Sequence, residues 1–301
     1  MTTLLCIGFG YCAEHYVTEF GGRFDRIIGT TRSAERAEAL THQTFANRRI
    51  EMLIFDGRAA SPALVAALAE ADALLVSAGP VDGIDPVLAV LGDELLRAPR
   101  LSTVVLLSTL SVYGDHGGAT VNEATPPDPV TARGRARLDA ERAWQTLSTR
   151  RSLPVACLRL AGIYGPGQNA LRSVARGGAR RINKPGQVFN RIHVSDIAQA
   201  IDAAFARRAN GAFNISDDEP APPGDPIAFA AALLQLPAPP EVDFDEAAKT
   251  MSPMALSFYQ ESKRVDNARM KNVLGVRLRY ATYREGLHAL HAAGGEPECC
   301  Q

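Results

Sequence analysis

The sequence has few cysteines and no long apolar run. The cysteines are Cys6, Cys12, Cys157, Cys299 and Cys300. None of them is paired in a C-x-x-C spacing, so we predict reduced thiols and no metal site. No stretch approaches the roughly 18 consecutive apolar residues that a membrane span requires, and no cationic segment precedes the first apolar run. We therefore expect a cytoplasmic protein without a membrane partner.

The sequence also lacks an excess of one charge, because 32 Lys and Arg residues face 33 Asp and Glu residues. The balance and the absence of aromatic residues interleaved with basic ones argue against a nucleic-acid partner. One stretch of the chain is basic, since no acidic residue lies between Glu141 and Asp196. This basic stretch favours a small anionic ligand, and a solvated face balanced by the acidic segment 217–246 is the alternative.

Short β-branched or aliphatic runs alternate with helical patterns through the first half of the chain. The predicted strands are Leu4–Gly8, Arg26–Thr30, Ile50–Asp56, Ala73–Ser77, Thr103–Ser108 and Pro154–Leu160. The predicted helices are Tyr11–Phe20, one opened by Ser33, one capped by Ser61, and Thr131–Leu147. Apolar strands separated by helices predict an α/β fold, a Rossmann-type doubly wound parallel sheet with a smaller C-terminal substrate lobe.

The alternation stops after Gly165, where glycine and proline turns begin. We predict an NAD(P)-binding Rossmann domain over residues 1–165, to which residues 188–215 return through a strand at Val188–Val194 and a helix at Ser195–Arg208. The other predicted parts are a smaller substrate-binding lobe over residues 166–187 and 216–293 and a flexible tail over residues 294–301.

A phosphate-binding motif lies at the first strand-to-helix turn. The six residues from Gly8 to Ala13 fit G-x-G-x-x-A, with one glycine for the tight turn, one for close approach of the pyrophosphate, and alanine for packing. The helix that follows would offer its N–H groups to the phosphates. We predict dinucleotide contacts from five residues of this loop, and an ordinary tight turn is the alternative. They are Gly8, Phe9, Gly10, Tyr11 and Cys12.

The end of the second predicted strand indicates which dinucleotide is bound. Thr31 and Arg32 stand where an acidic residue would take the ribose hydroxyls of NAD, so we predict NADP, with NAD as the alternative cofactor. An exposed arginine without a ligand is the simpler interpretation of Arg32. We expect Asp56 to meet the adenine amino group, and Ser77, Ala78 and Gly79 to form the loop beneath the adenosine ribose.

Five later segments carry a family resemblance when they are taken together. They are Ser108–Gly114, Arg159–Gly167, Ile192–Asp196, Phe213–Ser216, and Leu274-Gly275 before Tyr280. With these segments the chain resembles the extended short-chain dehydrogenase/reductase superfamily, the NAD-dependent epimerase/dehydratase-like proteins. The shortened glycine loop, the run Phe189–Val194 and the segment Lys263–Val265 resemble the atypical YeeZ-like subgroup.

The resemblance implies a catalytic Ser or Thr and a Tyr-x-x-x-Lys pair. Thr109 stands at the Ser/Thr position, whereas Arg133 and Arg137 stand in place of the Tyr and the Lys. An arginine cannot release its proton, so Arg133 cannot serve as the acid/base, although Arg137 can hold the nicotinamide ribose. We predict catalytic roles for Thr109, Ser111, Arg137 and Tyr164, with Tyr164, Tyr113 or His193 as the candidate proton donor and Cys12 as a weaker one.

Two functions of different class follow. The first is an NADP-dependent oxidoreductase or epimerase/dehydratase-like enzyme acting on a small polar, anionic or sugar-nucleotide substrate. The second is a non-catalytic NADP(H)-binding sensor, which the missing Tyr and Lys would explain. Ser108 completes the predicted cofactor contacts, and the resemblance implies a homodimer. The predicted substrate contacts are Arg133, Asn190, Arg191 and His193.

Overall fold

The computed structural model describes residues 1–45 and 48–294. Within them the chain forms thirteen strands, numbered here in chain order. They are β1 Thr3–Ile7, β2 Arg26–Thr31, β3 Glu51–Ile54, β4 Ala73–Val76, β5 Thr103–Thr109, β6 Thr120–Val121, β7 Val155–Leu160, β8 Gly162–Tyr164, β9 Arg181–Asn183, β10 Arg191–His193, β11 Gly211–Ile215, β12 Glu241–Asp243 and β13 Arg264–Val265.

Twelve helices connect these strands in the same described ranges, together with short 3-10 turns at Gly21–Arg23 and Leu110–Tyr113. The helices are α1 Tyr11–Phe20, α2 Ala34–Thr41, α3 Pro62–Glu70, α4 Pro86–Arg97, α5 Ala132–Arg151, α6 Ala170–Ala175, α7 Val194–Ala206, α8 Asp225–Leu233, α9 Phe244–Ala248, α10 Pro253–Phe258, α11 Ala268–Asn272 and α12 Tyr283–Ala292. None of these helices has the length and apolarity that crossing a membrane requires.

Seven parallel strands form the central sheet in the order β11-β7-β5-β4-β1-β2-β3. The chain moves outward from β1 to β3, returns to β4 on the other side of β1, and then continues to the opposite edge. This reversal is the topological switch point of a doubly wound sheet, outside which such folds bind ligands. The predicted Rossmann-type α/β fold is confirmed.

Apolar side chains cover both faces of the sheet. One face packs against α1 and α7, with Tyr16 and Ile201 fully buried, and the other packs against α3, α4 and α5, with Leu91 and Trp144 fully buried. Burial on both faces explains why β1, β4 and β7 consist of buried residues throughout. The sheet therefore provides a rigid base for the loops at its carboxyl edge.

Helix starts follow the capping chemistry that the sequence predicted. Ser33 and Ser61 accept backbone N–H bonds from Arg36 and Leu64, and Pro62 occupies the first turn of α3. Helix α5 is capped by Thr131 and runs to Arg151, four residues beyond the predicted end at Leu147.

The predicted strand Val188–Val194 does not join the central sheet, and this prediction was wrong. Only Arg191–His193 is extended there, and it pairs with β8 in a separate two-stranded sheet, while β11 takes the edge position beside β7. The main-chain N–H of Gly162 donates to the carbonyl of Asn190 at 3.0 Å, so the chain leaving β7 at Leu160 recruits this segment away from the main sheet.

The C-terminal part packs on the carboxyl side of the sheet through its own apolar cluster, which includes Leu171, Ala230 and Leu287. Strands β9 and β12 pair within this part, and the pair of β6 with β13 ties it to the segment after β5. The division into a nucleotide domain and a substrate lobe stays a prediction. Of the predicted tail, residues 295–301 lie outside the described residues.

Candidate functional site

Two adjoining cavities open along the carboxyl edge of the central sheet. The smaller has a volume of about 460 Å³ and is lined by residues between Gly8 and Pro86. The larger, of about 650 Å³, draws on residues from Gly10 to Lys263. Gly10 and Ser77 line both cavities, so the two cavities adjoin at the switch point.

The glycine loop connects the two cavities. Gly8 has a φ of +91°, and a side chain there would place its Cβ 2.8 Å from the backbone nitrogen of Ala78. Its N–H donates to Thr30 Oγ1 at 2.9 Å, which fixes the turn. Within residues 1–45 and 48–294, a Cβ added at Gly10 would meet no atom within 4 Å, and no side chain caps the N-terminus of α1. The loop therefore leaves open space in front of unsatisfied helix N–H groups.

This geometry fits the pyrophosphate of a dinucleotide. The uncapped N–H groups of α1 supply donors and the positive end of the helix dipole. Phe9 lines the smaller cavity but is buried, with its ring 5.3 Å from that of Phe45, so its backbone is the part that faces the cleft. Ala13 is fully buried, as the motif requires for helix packing.

The other predicted adenosine contacts line the smaller cavity. Thr31 and Arg32 stand at the end of β2, and Arg32 is exposed. Asp56 accepts the N–H of Arg58 at 2.9 Å, which orients its carboxylate. Ser77, Ala78 and Gly79 form the facing wall, and the Ser77 hydroxyl donates to the Gly8 carbonyl. The structure thus brings all of these residues together.

The segment after β5 forms one wall of the larger cavity. Thr109 caps the 3-10 turn Leu110–Tyr113, and its Oγ1 accepts the N–H of Ser111 at 3.3 Å. Both residues line the cavity and are half-buried. Ser108 also lines it, but its hydroxyl donates to the buried carboxylate of Glu141. Ser108 is therefore occupied inside the protein, whereas Thr109 and Ser111 face the cleft.

Arg137 and Arg133 present two guanidinium groups from the first turns of α5. Arg137 Nη1 donates to the Leu107 carbonyl at 2.9 Å, and a Cβ on Gly79 would meet Arg137 Nη2 at 2.7 Å. Burial, and then the nearby charge of Arg133, lowers the pKa of Arg137 from its ordinary value. Arg137 thus stands between the two cavities, while Arg133 is exposed at the wall of the larger one.

Tyr164, Tyr11 and Cys12 line the larger cavity, but none is poised to give up a proton. The Tyr164 hydroxyl donates to the Thr282 carbonyl at 3.4 Å, and that of Tyr11 donates to the Pro166 carbonyl at 3.0 Å. Burial raises the pKa of both tyrosines, and it raises the pKa of Cys12 to about 12. A catalytic role of Tyr164 stays a prediction that these contacts do not favour.

The two other candidate proton donors lie away from the cleft. Tyr113 is fully buried and donates to Asn214 Oδ1 at 2.7 Å. His193 is also buried, and its Nδ1 accepts the N–H of Ser195 at 3.2 Å. Burial lowers the pKa of His193 to about 4, which favours the neutral ring. His193 caps α7, and a substrate contact from it stays a prediction.

Asn190 and Arg191 line the larger cavity opposite Thr109. The Asn190 side chain accepts the Val265 N–H at 3.0 Å and donates to the Lys263 carbonyl at 2.9 Å, so it mainly holds β13 in place. Arg191 Nη1 donates to the Phe189 carbonyl at 3.1 Å. Burial lowers the pKa of Arg191, partly offset by the neighbouring charge of Asp217.

Sequence reasoning missed an ion pair in the same cavity. Glu261 and Lys263 line it and are 8% and 5% exposed, with Lys263 Nζ 2.7 Å from Glu261 Oε2. The only signal in the sequence was that Lys263 begins a segment resembling the YeeZ-like subgroup. Nothing local indicated that residues so far from Thr109 would meet the same cleft.

Comparisons with known proteins agree with this geometry. A model of the NAD dependent epimerase/dehydratase family matches residues 10–216. Protein YeeZ of Escherichia coli K12 is 36% identical over 141 residues, which cover 45% of this chain and 48% of YeeZ. A 3-diazoavenalumate denitrifying reductase from a Streptomyces species is 27% identical over 208 residues, covering 64% of this chain and 66% of the reductase. The chain thus spans only part of the length of these curated relatives.

Solved structures match almost the whole chain. A functionally unknown conserved protein from Silicibacter pomeroyi DSS is 48% identical and has a TM-score of 0.85. The match covers 98% of this chain and 99% of that protein, so the C-terminal part that completes the larger cavity belongs to the shared fold.

Proposed function

The chain belongs to the NAD dependent epimerase/dehydratase family, and from that premise we propose that it is an NADP-dependent oxidoreductase or epimerase/dehydratase-like enzyme acting on a small polar, anionic substrate. The resemblance predicted from the sequence is confirmed by the family match and by the identity with YeeZ. The adjacency of the two cavities carries the proposal, because the smaller is lined by the residues predicted to bind the dinucleotide and the larger is walled by Thr109 and Ser111.

Different residues of the chain are proposed to bind the pyrophosphate, the ribose and the substrate. The glycine loop and the N-terminus of α1 hold the pyrophosphate, and Arg137 lies where it can donate to the ribose between the cavities. When bound, the nicotinamide supplies or accepts a hydride. Thr109 and Ser111 orient the substrate oxygen, since their hydroxyl groups face the larger cavity from one turn.

An anionic substrate is supported by the charges on the cavity wall. Arg133, Arg137 and Arg191 line the larger cavity, whereas its one carboxylate among the described residues, Glu261, is paired with Lys263. Guanidinium groups bind carboxylates and phosphates through paired N–H donors. Arg172 and Arg176 of the same basic stretch lie outside the residues that line this cavity, so Arg133 and Arg191 are the proposed anion contacts.

The preference for NADP rests on Arg32 and Thr31 at the end of β2, where a 2′-phosphate would lie. The family description names NAD, so the choice is tested directly. We expect calorimetric titration to show NADPH binding more tightly than NADH. Arg32→Ala should weaken NADPH binding about 10-fold or more and leave NADH unchanged, because a charge-assisted bond contributes about 1.5–3 kcal/mol.

Arg36→Ala is the matched control, since Arg36 lies one turn further on, pairs with Glu14 and is outside both cavities. Equal affinity of the wild type for NADH and NADPH would contradict the assignment of NADP. Oxidation of bound NADPH by a panel of aldehydes, ketones, keto acids and keto sugars then tests turnover.

A second candidate function is a non-catalytic NADP(H)-binding protein. One observation favours it, namely that Arg133 and Arg137 replace the Tyr and Lys of the usual acid/base pair. NADPH binding without oxidation by any member of the panel supports this alternative. Turnover that Thr109→Ala abolishes, with NADPH binding retained, excludes it.

A further inference from the structure

The proposed reaction needs a group that exchanges a proton with the substrate oxygen, and the larger cavity limits the choice. Eight of the described residues that line it have titratable side chains. They are Tyr11, Cys12, Arg133, Arg137, Tyr164, Arg191, Glu261 and Lys263.

Six of the eight are unsuited to proton transfer. The three arginines keep their protons at any pH at which the protein is folded. The hydroxyl groups of Tyr11 and Tyr164 already donate to backbone carbonyls, and burial keeps Cys12 in its thiol form. Glu261 and Lys263 remain.

The contacts of Lys263 place it beside the 3-10 turn Leu110–Tyr113. Its Nζ donates to the Gly114 carbonyl at 2.7 Å and to Glu261 Oε2 at 2.7 Å. Gly114 ends the 3-10 turn that Thr109 begins. Two of the three ammonium hydrogens are used by these bonds, and the third is left for a ligand in the cavity.

Glu261 gives a second, independent indication that the Lys263–Glu261 pair contacts a ligand. Its Oε1 is buried and has no hydrogen-bond partner among the described residues. A buried carboxylate oxygen without a donor costs free energy, which a hydroxyl group of a bound substrate would recover. The pair therefore offers both a donor and an acceptor to one polar molecule.

We propose that Lys263, positioned by Glu261, is the proton donor of the reaction proposed above, on which this inference rests. In the reducing direction a bound NADPH would supply the hydride and be oxidised to NADP⁺, and the substrate carbonyl that receives the hydride would then need a proton at its oxygen. The N–H bond of the Lys263 ammonium breaks as the O–H bond of the alcohol forms. The neutral amine left beside Glu261 regains a proton from water through the open cavity.

The pH dependence of this step depends on the charges around Lys263. Glu261 contacts it directly, Asp115 faces it from the loop after the 3-10 turn, and Lys184 faces Asp115. The charge of Lys263 contributes to the lowered pKa of Asp115, after the hydrogen bonds from the backbone of Ser262 and Gly117. Removing the Glu261 carboxylate is expected to shift the pH profile of reduction toward lower pH, because Lys263 then loses its nearest negative charge.

The first experiment needs no substrate. The chain has four lysines, Lys184, Lys249, Lys263 and Lys271, so a lysine-labelled sample gives a simple NMR spectrum in which Lys263→Arg identifies the Lys263 signal. We expect that signal to differ between the NADPH and NADP⁺ complexes, because the two differ in charge at the nicotinamide. The Lys271 signal should stay unchanged, since Lys271 pairs with Asp218 outside the cavity.

A Lys263 signal that is identical in the two complexes overturns the inference while leaving the proposed function intact. Failure of NADPH to bind at all, measured by calorimetry on the same sample, is instead a failure of the proposed function.

The second experiment follows hydride transfer in a single turnover with a carbonyl compound from the panel. Lys263→Met should slow the transfer about 10²–10⁴-fold with unchanged NADPH affinity, the range expected for loss of a general acid. Lys263→Arg should not restore the rate, because a guanidinium keeps the charge but cannot release the proton. Recovery by Lys263→Arg would show a charge that only binds substrate, and would overturn the inference. Lys271→Met is the control and should keep the wild-type rate.

Discussion

Two ion pairs of this protein have equally buried side chains, and they differ in how completely their hydrogen bonds are satisfied. Arg159 and Glu141 are 2.7 Å apart beneath the sheet edge, as are Lys263 and Glu261 in the larger cavity, and every one of these side chains is 7% exposed. Both carboxylate oxygens of Glu141 accept bonds, from Arg159 and from Ser108. Arg159 also donates to Tyr113 at 2.8 Å.

The pair in the cavity lacks this completeness, because Glu261 Oε1 has no partner among the residues that the structure describes. A buried pair whose every donor and acceptor is used contributes to the fold, and its removal leaves a charge with no water nearby. A pair with an unused acceptor can still accept a further hydrogen bond. Equal burial and equal distance therefore do not imply an equal role.

The largest expected effect separates the two glutamates by stability. Glu141→Gln should lower the free energy of unfolding by about 3 kcal/mol or more, because it leaves the Arg159 charge buried and unpaired. Glu261→Gln, the matched change, should cost about 1 kcal/mol, since it weakens one hydrogen bond while Lys263 keeps its bond to the Gly114 carbonyl. Urea denaturation of both variants measures the difference. Equal losses would remove the distinction between the pairs.

A smaller effect tests Ser108, whose hydroxyl group donates to Glu141 of the Arg159–Glu141 pair. Ser108→Ala should lower stability by about 1 kcal/mol, the usual contribution of a single hydrogen bond, because Glu141 loses one donor but keeps Arg159. Ser111→Ala should have almost no effect on stability, since its side chain faces the cavity. Thermal unfolding followed by circular dichroism compares the two. A Ser111→Ala variant as unstable as Ser108→Ala would show that the turn, not the ion pair, is the sensitive element.

An effect that depends on pH concerns a third carboxylate, Asp217, which is buried and whose Oδ2 has no partner among the described residues. Burial raises its pKa from 3.8 to about 8, so the folded protein holds a proton there that the unfolded chain has already released. The stability contributed by this group is complete below about pH 4 and is lost as the pH rises to about 8.

Asp217→Asn should therefore flatten the fall in stability between these two pH values. Urea denaturation across the range measures the slope for the wild type and the variant. Asp139→Asn is the control, since this exposed residue of α5 lies outside the cavities. An unchanged slope in Asp217→Asn would show that another group causes the pH dependence.

The sequence predicted the parts of the fold that depend on local pattern. The βα alternation, the caps at Ser33 and Ser61 and the tight turn at Gly8 each follow from neighbouring residues, and the structure shows them. The strand predicted at Val188–Val194 was assigned to the wrong sheet. Both β7 and β8 have apolar residues that could pair with it, and the sequence does not show which of the two does. Periodicity in one segment does not identify the partner strand.

Some residues of the candidate site could also be predicted from local pattern, and others could not. Gly10, Arg32 and Thr109 follow strand ends, where a parallel sheet gathers its ligand contacts, so their positions could be predicted. Glu261 and Lys263 belong to a short connection without periodic pattern. Their place in the cavity results from pairing of β13 with β6, which no local feature indicates.

The distance along the chain between the halves of the cleft has a consequence for biosynthesis. All residues lining the smaller cavity lie between Gly8 and Pro86, whereas the bond from Lys263 to Gly114 joins positions 149 residues apart. Since a nascent chain folds from its N-terminus as it leaves the ribosome, the first strands can organise their nucleotide cleft early. The larger cavity gains Lys263 only after the chain well beyond the smaller cavity has been made, so the smaller cavity could form before the larger one is complete.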